Sequence, residues 1–349
     1  LPRTDELFVG RNIEIAATVE ALEPPHPGIN EHKPRVVTLH GEGGIGKTRV
    51  AGAVAEWLAE RGKFPAGIVE VYCAPAASSV ELAIAALAAL GIERPESLPN
   101  PSAALVERLK RIEQPLLLLL DNLENLFTGG PAATGVKDIA MGDTHPAILI
   151  KELLAASPSL RILATSRWPL NLGSDENALE VPPMRPKEAI QVFLESIPDR
   201  DVRNEILSRP REVDELLSQI LKATERMPLA LVLMARQLQR HGETIETLLH
   251  QAATNLLNLL QDESLAHLPP RLRSVRASLQ LSYGHLSGPA QKLFARMSFL
   301  PGGIFRPFDQ LSNLLGESWR ELLAGEVAYF ALARYDRDAD RYTLLNPVR

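Results

Sequence analysis

The stretch RVVTLHGEGGIGKTRVAGAVA, residues 35–55, joins an apolar run to a glycine-rich turn and then to an alanine-rich helical pattern. Arg35–Leu39 predicts a short buried strand and 48–61 a helix. Between them Gly41, four residues, Gly46, Lys47 and Thr48 satisfy the G-x-x-x-x-G-K-[ST] spacing without a mismatch. The strand–loop–helix setting is what gives that spacing its meaning. Successive backbone N–H groups of Gly43, Gly44, Ile45 and Gly46 can turn inward and wrap a phosphate chain at the positive end of the helix. Lys47 supplies a point charge for β/γ-phosphates, and the Thr48 hydroxyl a ligand for Mg²⁺. The stretch reads as a nucleoside triphosphate site.

Around this site the sequence alternates. Strands are predicted at Gly67–Cys73, Leu116–Leu120, Arg161–Thr165 and Ala178–Val181, with helices at 78–90, 101–112 and 146–156. Such alternation predicts a parallel sheet covered by helices. TGGPAATGVKDIAMGD, 128–143, has loop composition. Ahead of the first strand, LFVGRNIEIAATVEAL ends in a short helix pattern, and EPPHPGINEHKP is a linker. After Pro182-Pro183 the character changes: Pro186 to about Leu265 reads helical throughout, and LPP at 268–270 marks a further boundary. Three or so helices follow, then VAYFALARYDRDADRYTLL, read as strand, charged turn and strand. Helices followed by a hairpin suggest a winged helix.

With 349 residues the chain is long enough for two or three domains. A net charge of −6 gives no global reason to expect nucleic-acid binding. The single Cys73 excludes an internal disulfide framework and suits a reducing compartment; at the end of an apolar strand it reads as core. The His spacings predict no zinc site, and no apolar run approaches a membrane span. With no leader pattern and Leu1 at its start, the chain is expected to be a fragment of a larger protein, soluble and cytoplasmic.

A phosphate loop only binds; hydrolysis also needs an acid to hold metal and a group to orient water. LLLLLDNLENL, 116–126, runs five leucines into Asp121, which places a carboxylate at the C-terminal edge where open α/β sheets bind ligands. Asp121 is therefore a metal-holding candidate together with Thr48. Glu124, three residues on, is a candidate to polarise water, and equally an ordinary surface glutamate. RILATSRWPL, 161–170, ends a further strand in Arg167, aimed at the same edge and able to sense a γ-phosphate through charge-assisted hydrogen bonds. ERMPLALVLMA, 225–235, reads as a buried helix with Pro228 in its first turn.

FVGR (8–11), GEGGIGKT, LLLLLDNLEN, LATSR, the MPLA element and SLQLSYGHLSGPAQKLFARMSFLPGGIF occur in the order that resembles the NB-ARC branch of the STAND ATPases, over nearly the whole chain. The bacterial regulators of that branch look most similar. The resemblance implies an adenine-contacting segment and linker at 1–34, a P-loop α/β domain at 35–183, a small helical domain at 184–265 and a winged helix at 266–349. It implies a strand order with the Arg167 strand between the phosphate-loop and Asp121 strands. It also implies ATP/ADP with Mg²⁺, and base contacts from Val9, Arg11 and Pro228. The expected behaviour is a switch, closed with ADP and opening with ATP to self-associate through the nucleotide-binding domain, with slow hydrolysis. Effector and sensor domains would lie outside this chain.

Two departures from the family pattern stand out. Asp121-Asn122 replaces the Asp-Asp of many members. Leu344-Leu345-Asn346 stands where a Met-His-Asp motif is expected, so Leu345 cannot give the β-phosphate contact of the histidine. Backbone N–H groups and Arg49 are the expected substitutes. An alternative reading is a DNA-binding regulator: residues 266–349 hold eleven Lys+Arg against seven Asp+Glu, a net +4, with Arg271, Arg273 and Arg276 clustered. A motor ATPase would need an arginine finger, and no residue identifies one.

Overall fold

The computed structural model describes residues 8–23, 33–73, 76, 78–126, 146–208, 210–238, 243–265, 268–300, 304–305, 315–316, 318–336 and 340–344. The loop-like stretch 128–143 and Leu345-Asn346 lie outside them. The chain divides into two compact units, one of residues 1–41 with 46–182 and the other of residues 42–45 with 183–349.

The first unit opens with α1 (Asn12–Leu22) and then alternates β1 (Val36–His40), α2 (Lys47–Glu60), β2 (Ile68–Tyr72), α3 (Ser79–Ala89), α4 (Pro101–Lys110), β3 (Leu116–Asp121), α5 (Pro146–Ala156), β4 (Leu160–Ser166) and β5 (Glu176–Glu180). The five strands form one parallel sheet in the order β2-β3-β4-β1-β5. β4 thus lies between the phosphate-loop strand and the Asp121 strand. The leucine run explains why β3 is central. Leu116, Leu118 and Leu120 pack with Val71, Ile162 and Ala164 against apolar residues of α3, α4 and α5. Leu117 and Leu119, pointing the other way, are equally buried. A strand buried on both faces needs a continuous apolar run rather than an alternating one.

Helix ends are set locally. Ser78 and Asn100 cap α3 and α4 by accepting from the N–H groups of Glu81 and Ala103, at 3.2 and 3.0 Å. At the end of α5, the Arg35 guanidinium donates to the carbonyls of Leu154 (2.8 Å) and Ser157 (3.0 Å), placing a cation at the negative end of that helix. Because all five strands run the same way, His40, Tyr72, Asp121, Ser166 and Glu180 end on one edge of the sheet. That edge carries the site.

The second unit begins with α6 (Pro186–Ser196), α7 (Arg200–Ser208), α8 (Pro210–Ala223), α9 (Pro228–Ala235) and α10 (Ile245–Leu260). Glu225 and Arg226, both at positive φ, turn the chain sharply before Met227, and Pro228 starts α9 where its missing N–H costs nothing. Also in this unit, the Leu229 N–H donates to the Gly44 carbonyl at 3.3 Å, and a Cβ on Gly44 would stand 3.0 Å from the Leu229 side chain. Then come α11 (Pro270–Gly284), α12 (Gly288–Met297), β6 (Ile304–Phe305), α13 (Trp319–Leu322), β7 (Ala333–Asp336) and β8 (Arg341–Leu344), with an antiparallel sheet ordered β6-β8-β7. Leu286, Leu293, Trp319, Leu323, Val327 and Leu344 share its core.

The strand–turn–strand expected in VAYFALARYDRDADRYTLL is present as β7 and β8, but its first strand is shorter than the stretch suggests: across VAYFAL, 327–332, a π-helical turn at Leu323–Val327 runs on from α13, and turns carry the chain to Leu332. Val327 and Leu332 are buried while Ala328–Ala331 are half-buried, a spacing that suits a helical turn, and only Ala333 begins the strand. The aromatic Tyr329-Phe330 pair imitates strand composition, but the two rings pack edge to face on the turn.

Candidate functional site

The phosphate loop leaves β1 at His40 and enters α2 at Lys47. Gly46 caps that helix at φ 97°, a conformation that a residue with a Cβ takes only under strain, and no side chain caps the helix. A glycine cap offers the first turn of α2 no capping side chain of its own, which suits a helix end that receives an anion. Lys47 is buried, and its Nζ donates to the Gly41 carbonyl at 2.8 Å. The Gly41 N–H in turn donates to the Arg167 carbonyl at 3.2 Å, which ties the start of the loop to the end of β4.

Thr48 and Asp121 meet. The Thr48 hydroxyl donates to Asp121 Oδ1 at 2.8 Å. Thr165, at the end of β4, donates to the same oxygen at 2.5 Å, and the Asn122 amide donates to Oδ2 at 2.7 Å. Burial pushes the Asp121 carboxyl above the ordinary carboxylate range; hydrogen bonds from Thr165 and Thr48 and the charge of Lys47 oppose the shift, while Glu124 reinforces it. A hydroxyl and a carboxylate side by side, next to a loop built for phosphates, fit Mg²⁺, which keeps water and phosphate oxygens in most of its shell. Among the described residues no group of three or more His, Cys, Asp or Glu could cage a metal by itself, so the phosphates would have to complete the shell.

Glu124 and Arg167 are also brought together. Asn122 takes the left-handed conformation, φ 63°, and a single 3₁₀ turn, Leu123–Asn125, returns Glu124 to the sheet edge. There Glu124 Oε1 lies 3.7 Å from Arg167 Nε, and its Oε2 is buried without a hydrogen-bond partner among the described residues. Arg167 is 45% exposed, so this is a weak, solvent-screened pair.

Four candidates remain. Val9 is buried ahead of α1. Arg11, also buried, donates to the Pro182 carbonyl at 2.6 Å and pairs with Glu14 at 3.2 Å. The Arg49 guanidinium lies over the Phe8 ring, 5.9 Å from its centroid. Pro228 stands at the start of α9 in the second unit.

Three residues of the site were not foreseen. Thr165 and Asn122 hold Asp121. Glu176 accepts from the N–H groups of Leu170 (2.8 Å) and Leu172 (3.0 Å), which closes the loop that follows Arg167. Cross-strand register was the missing signal: Leu120 pairs with Ala164, so the next residues, Asp121 and Thr165, face each other.

The comparisons bear on the fold and on the family of one part of the chain. Residues 30–162 match a family model described as an AAA domain. The parallel unit has the P-loop NTPase fold. Proteins of Mycobacterium bovis and Mycobacterium tuberculosis named as HTH-type transcriptional regulators are 28% identical to this chain over 276 residues, covering 77% of it and 27% of each relative. The chain thus spans about a quarter of the length of those curated relatives. A Pyrococcus horikoshii structure described as a signal transduction ATPase with numerous domains, with a tetratricopeptide repeat sensor, superimposes at a TM-score of 0.53 with 15% identity, over 98% of this chain and 42% of that one. At that identity the likeness is one of fold. Among the described residues, no helix is long and apolar enough to cross a membrane.

Proposed function

We propose that this chain is the core of an ATP/ADP-dependent signal-transduction switch: nucleotide-binding domain 35–183, preceded by the adenine-contacting segment 1–34 and followed by a small helical domain, 184–265, and a winged helix, 266–349. The observation that carries it is the joining of Thr48 to Asp121 at 2.8 Å beside a phosphate loop whose lysine is already buried in place. Lys47 and the N–H groups of residues 43–48 would hold the β- and γ-phosphates, and Thr48 and Asp121 the Mg²⁺. Bound there, Mg²⁺ supplies neutralisation of phosphate charge. Val9, Arg11 and Pro228 are assigned to the base, and Arg49 to the phosphate side.

The Glu124–Arg167 pair gives the switch a chemical logic. A γ-phosphate offers Arg167 more negative charge than one carboxylate does, so it competes for the guanidinium. Glu124, relieved of its cation, then accepts a proton from water as general base. Acid and sensor answer to the same phosphate, so turnover is slow and follows sensing rather than driving work. The fold likeness to a signal transduction ATPase supports this reading, and self-association in the ATP form and outlying effector domains belong to the same proposal.

Calorimetry provides the test. Lys47→Ala should lower affinity for ADP and ATP at least about tenfold, the expected result of removing a charge-assisted contact worth about 1.5–3 kcal/mol. Binding of ADP by the variant within a few-fold of wild type would overturn the assignment. ATP should also bind more tightly than GTP.

A second reading, a DNA-binding regulator under nucleotide control, draws on the relatives' names and on the arginines of α11. A duplex gel shift that weakens steeply with salt would favour it.

A further inference from the structure

The geometry points to Asn122 as a positioning residue that holds the metal-binding carboxylate of Asp121 in its working orientation and delivers Glu124 to the same edge. The inference rests on the Mg²⁺–nucleotide reading of the site and deepens it.

Two separate features of Asn122 carry it. The first is the side chain. Asn122 is buried, and its Nδ2 lies 2.7 Å from Asp121 Oδ2. Only the amide's donor end can face a carboxylate there, because its oxygen would set two acceptors against each other. Asp121 Oδ1 meanwhile takes the hydroxyls of Thr48 and Thr165. The two oxygens are therefore held by different partners, and the carboxylate plane cannot rotate without breaking one set. The backbone N–H of Asn122 strengthens this. It donates to Thr165 Oγ at 2.9 Å, filling an acceptor position on the hydroxyl and leaving its one proton for Asp121. Residues 121, 122 and 165 thus form a closed ring of hydrogen bonds.

The second feature is the backbone. Asn122 sits at φ 63°, ψ 55°. Asparagine takes this left-handed conformation more readily than residues other than glycine. Without it the chain would continue along the strand direction, and the turn 123–125 would not bring Glu124 within 3.7 Å of Arg167. An aspartate at 122 could keep the turn but would place a second carboxylate oxygen where a donor is needed, against Asp121 Oδ2. The single amide in this Asp-Asn pair is therefore a requirement of the geometry. It also divides the labour: Asp121 is left to the metal and Glu124 to the water.

Outer partners of a metal-binding group typically govern ten- to hundredfold of its affinity. The experiment is calorimetry of a non-hydrolysable ATP analogue with and without Mg²⁺, and of ADP in EDTA, on wild type, Asn122→Gly and Asn122→Asp. Glycine keeps the left-handed turn and removes the clamp. The expected result for Asn122→Gly is a gain in ATP-analogue affinity from Mg²⁺ about tenfold smaller than in wild type, with Mg²⁺-free ADP binding within twofold. Asn122→Asp should lose at least as much of the Mg²⁺-dependent gain. It preserves side-chain shape, so it decides the matter should the glycine variant not fold.

A Mg²⁺ gain in Asn122→Gly within twofold of wild type would overturn the inference alone. So would an Asn122→Asp protein with faster turnover and an unchanged Mg²⁺ requirement, since the second acid would then be working as a base. Wild type whose ATP-analogue affinity ignores Mg²⁺ would overturn the nucleotide–metal reading itself, and the inference with it.

Discussion

Asp121 is held in the protein interior by neutral donors, with Lys47 the charge that favours its ionised form, and that has a cost in stability. Its pKa is raised in the folded chain, so folding favours the protonated form. Stability from this group is fully present below the unfolded value near pH 4 and is lost as pH rises through the folded one. Asp121→Asn should therefore unfold at a higher temperature than wild type at pH 7.5 without nucleotide, by about 2–4 °C for each kcal/mol recovered, and the gap should close toward pH 4. Glu124→Gln should bind ATP no more weakly than wild type, since the γ-phosphate then meets no competitor for Arg167, and should slow turnover by about a hundredfold, the lower range for losing a general base; unchanged turnover would remove Glu124 from the chemistry. The meeting of Thr48 and Asp121 beside a buried Lys47 could be anticipated from sequence, because residue type and place in a strand–loop–helix unit bring them to one sheet edge. Asn122 and Thr165 could not, because their roles exist only once β4 is known to lie beside β3 and in which register.

At the scale of elements, the connection from β4 to β5 stands out. Leu170 and Leu172 are buried, Asn171 between them is at φ 58°, and Glu176 gathers the N–H groups of both leucines. This fixes the segment directly after Arg167. Glu176→Ala leaves two N–H groups without their acceptor and should cost about 1–3 kcal/mol, read from denaturant unfolding. It should also weaken discrimination between ATP and ADP, since Arg167 loses its backing. The five strands themselves were foreseen to within two residues at either end, because a run such as LLLLL between polar turns has few other fates. The late start of β7, after VAYFAL, has the opposite cause. Short aromatic and β-branched runs suit strand and turn alike, and here packing around Val327 and Leu332 decides.

For the molecule as a whole, the proposed switch predicts a resting form. The purified chain should be a monomer that releases ADP on heat denaturation, measured by chromatography of the nucleotide and light scattering of the native protein. An empty monomer exchanging ADP within seconds would contradict it. On the proposed switch, Leu345→His should slow ADP release, read from the exchange of a fluorescent ADP analogue. Neither the trigger nor the output was legible at this scale, since the chain spans about a quarter of its mycobacterial relatives.

Cys73 makes that resting form observable. It is the only cysteine in the chain, it is fully buried just past β2, its N–H donates to the Asp121 carbonyl at 2.8 Å, and burial pushes its thiol well above the usual range. A thiol reagent needs thiolate and access, and the folded sheet edge denies both. The chain therefore carries a natural clock at its own site. The rate at which Cys73 is labelled measures how often the edge that holds Asp121 comes open. Mg²⁺ with nucleotide should slow that clock in wild type and leave it unaltered in Lys47→Ala, with no added cysteine required.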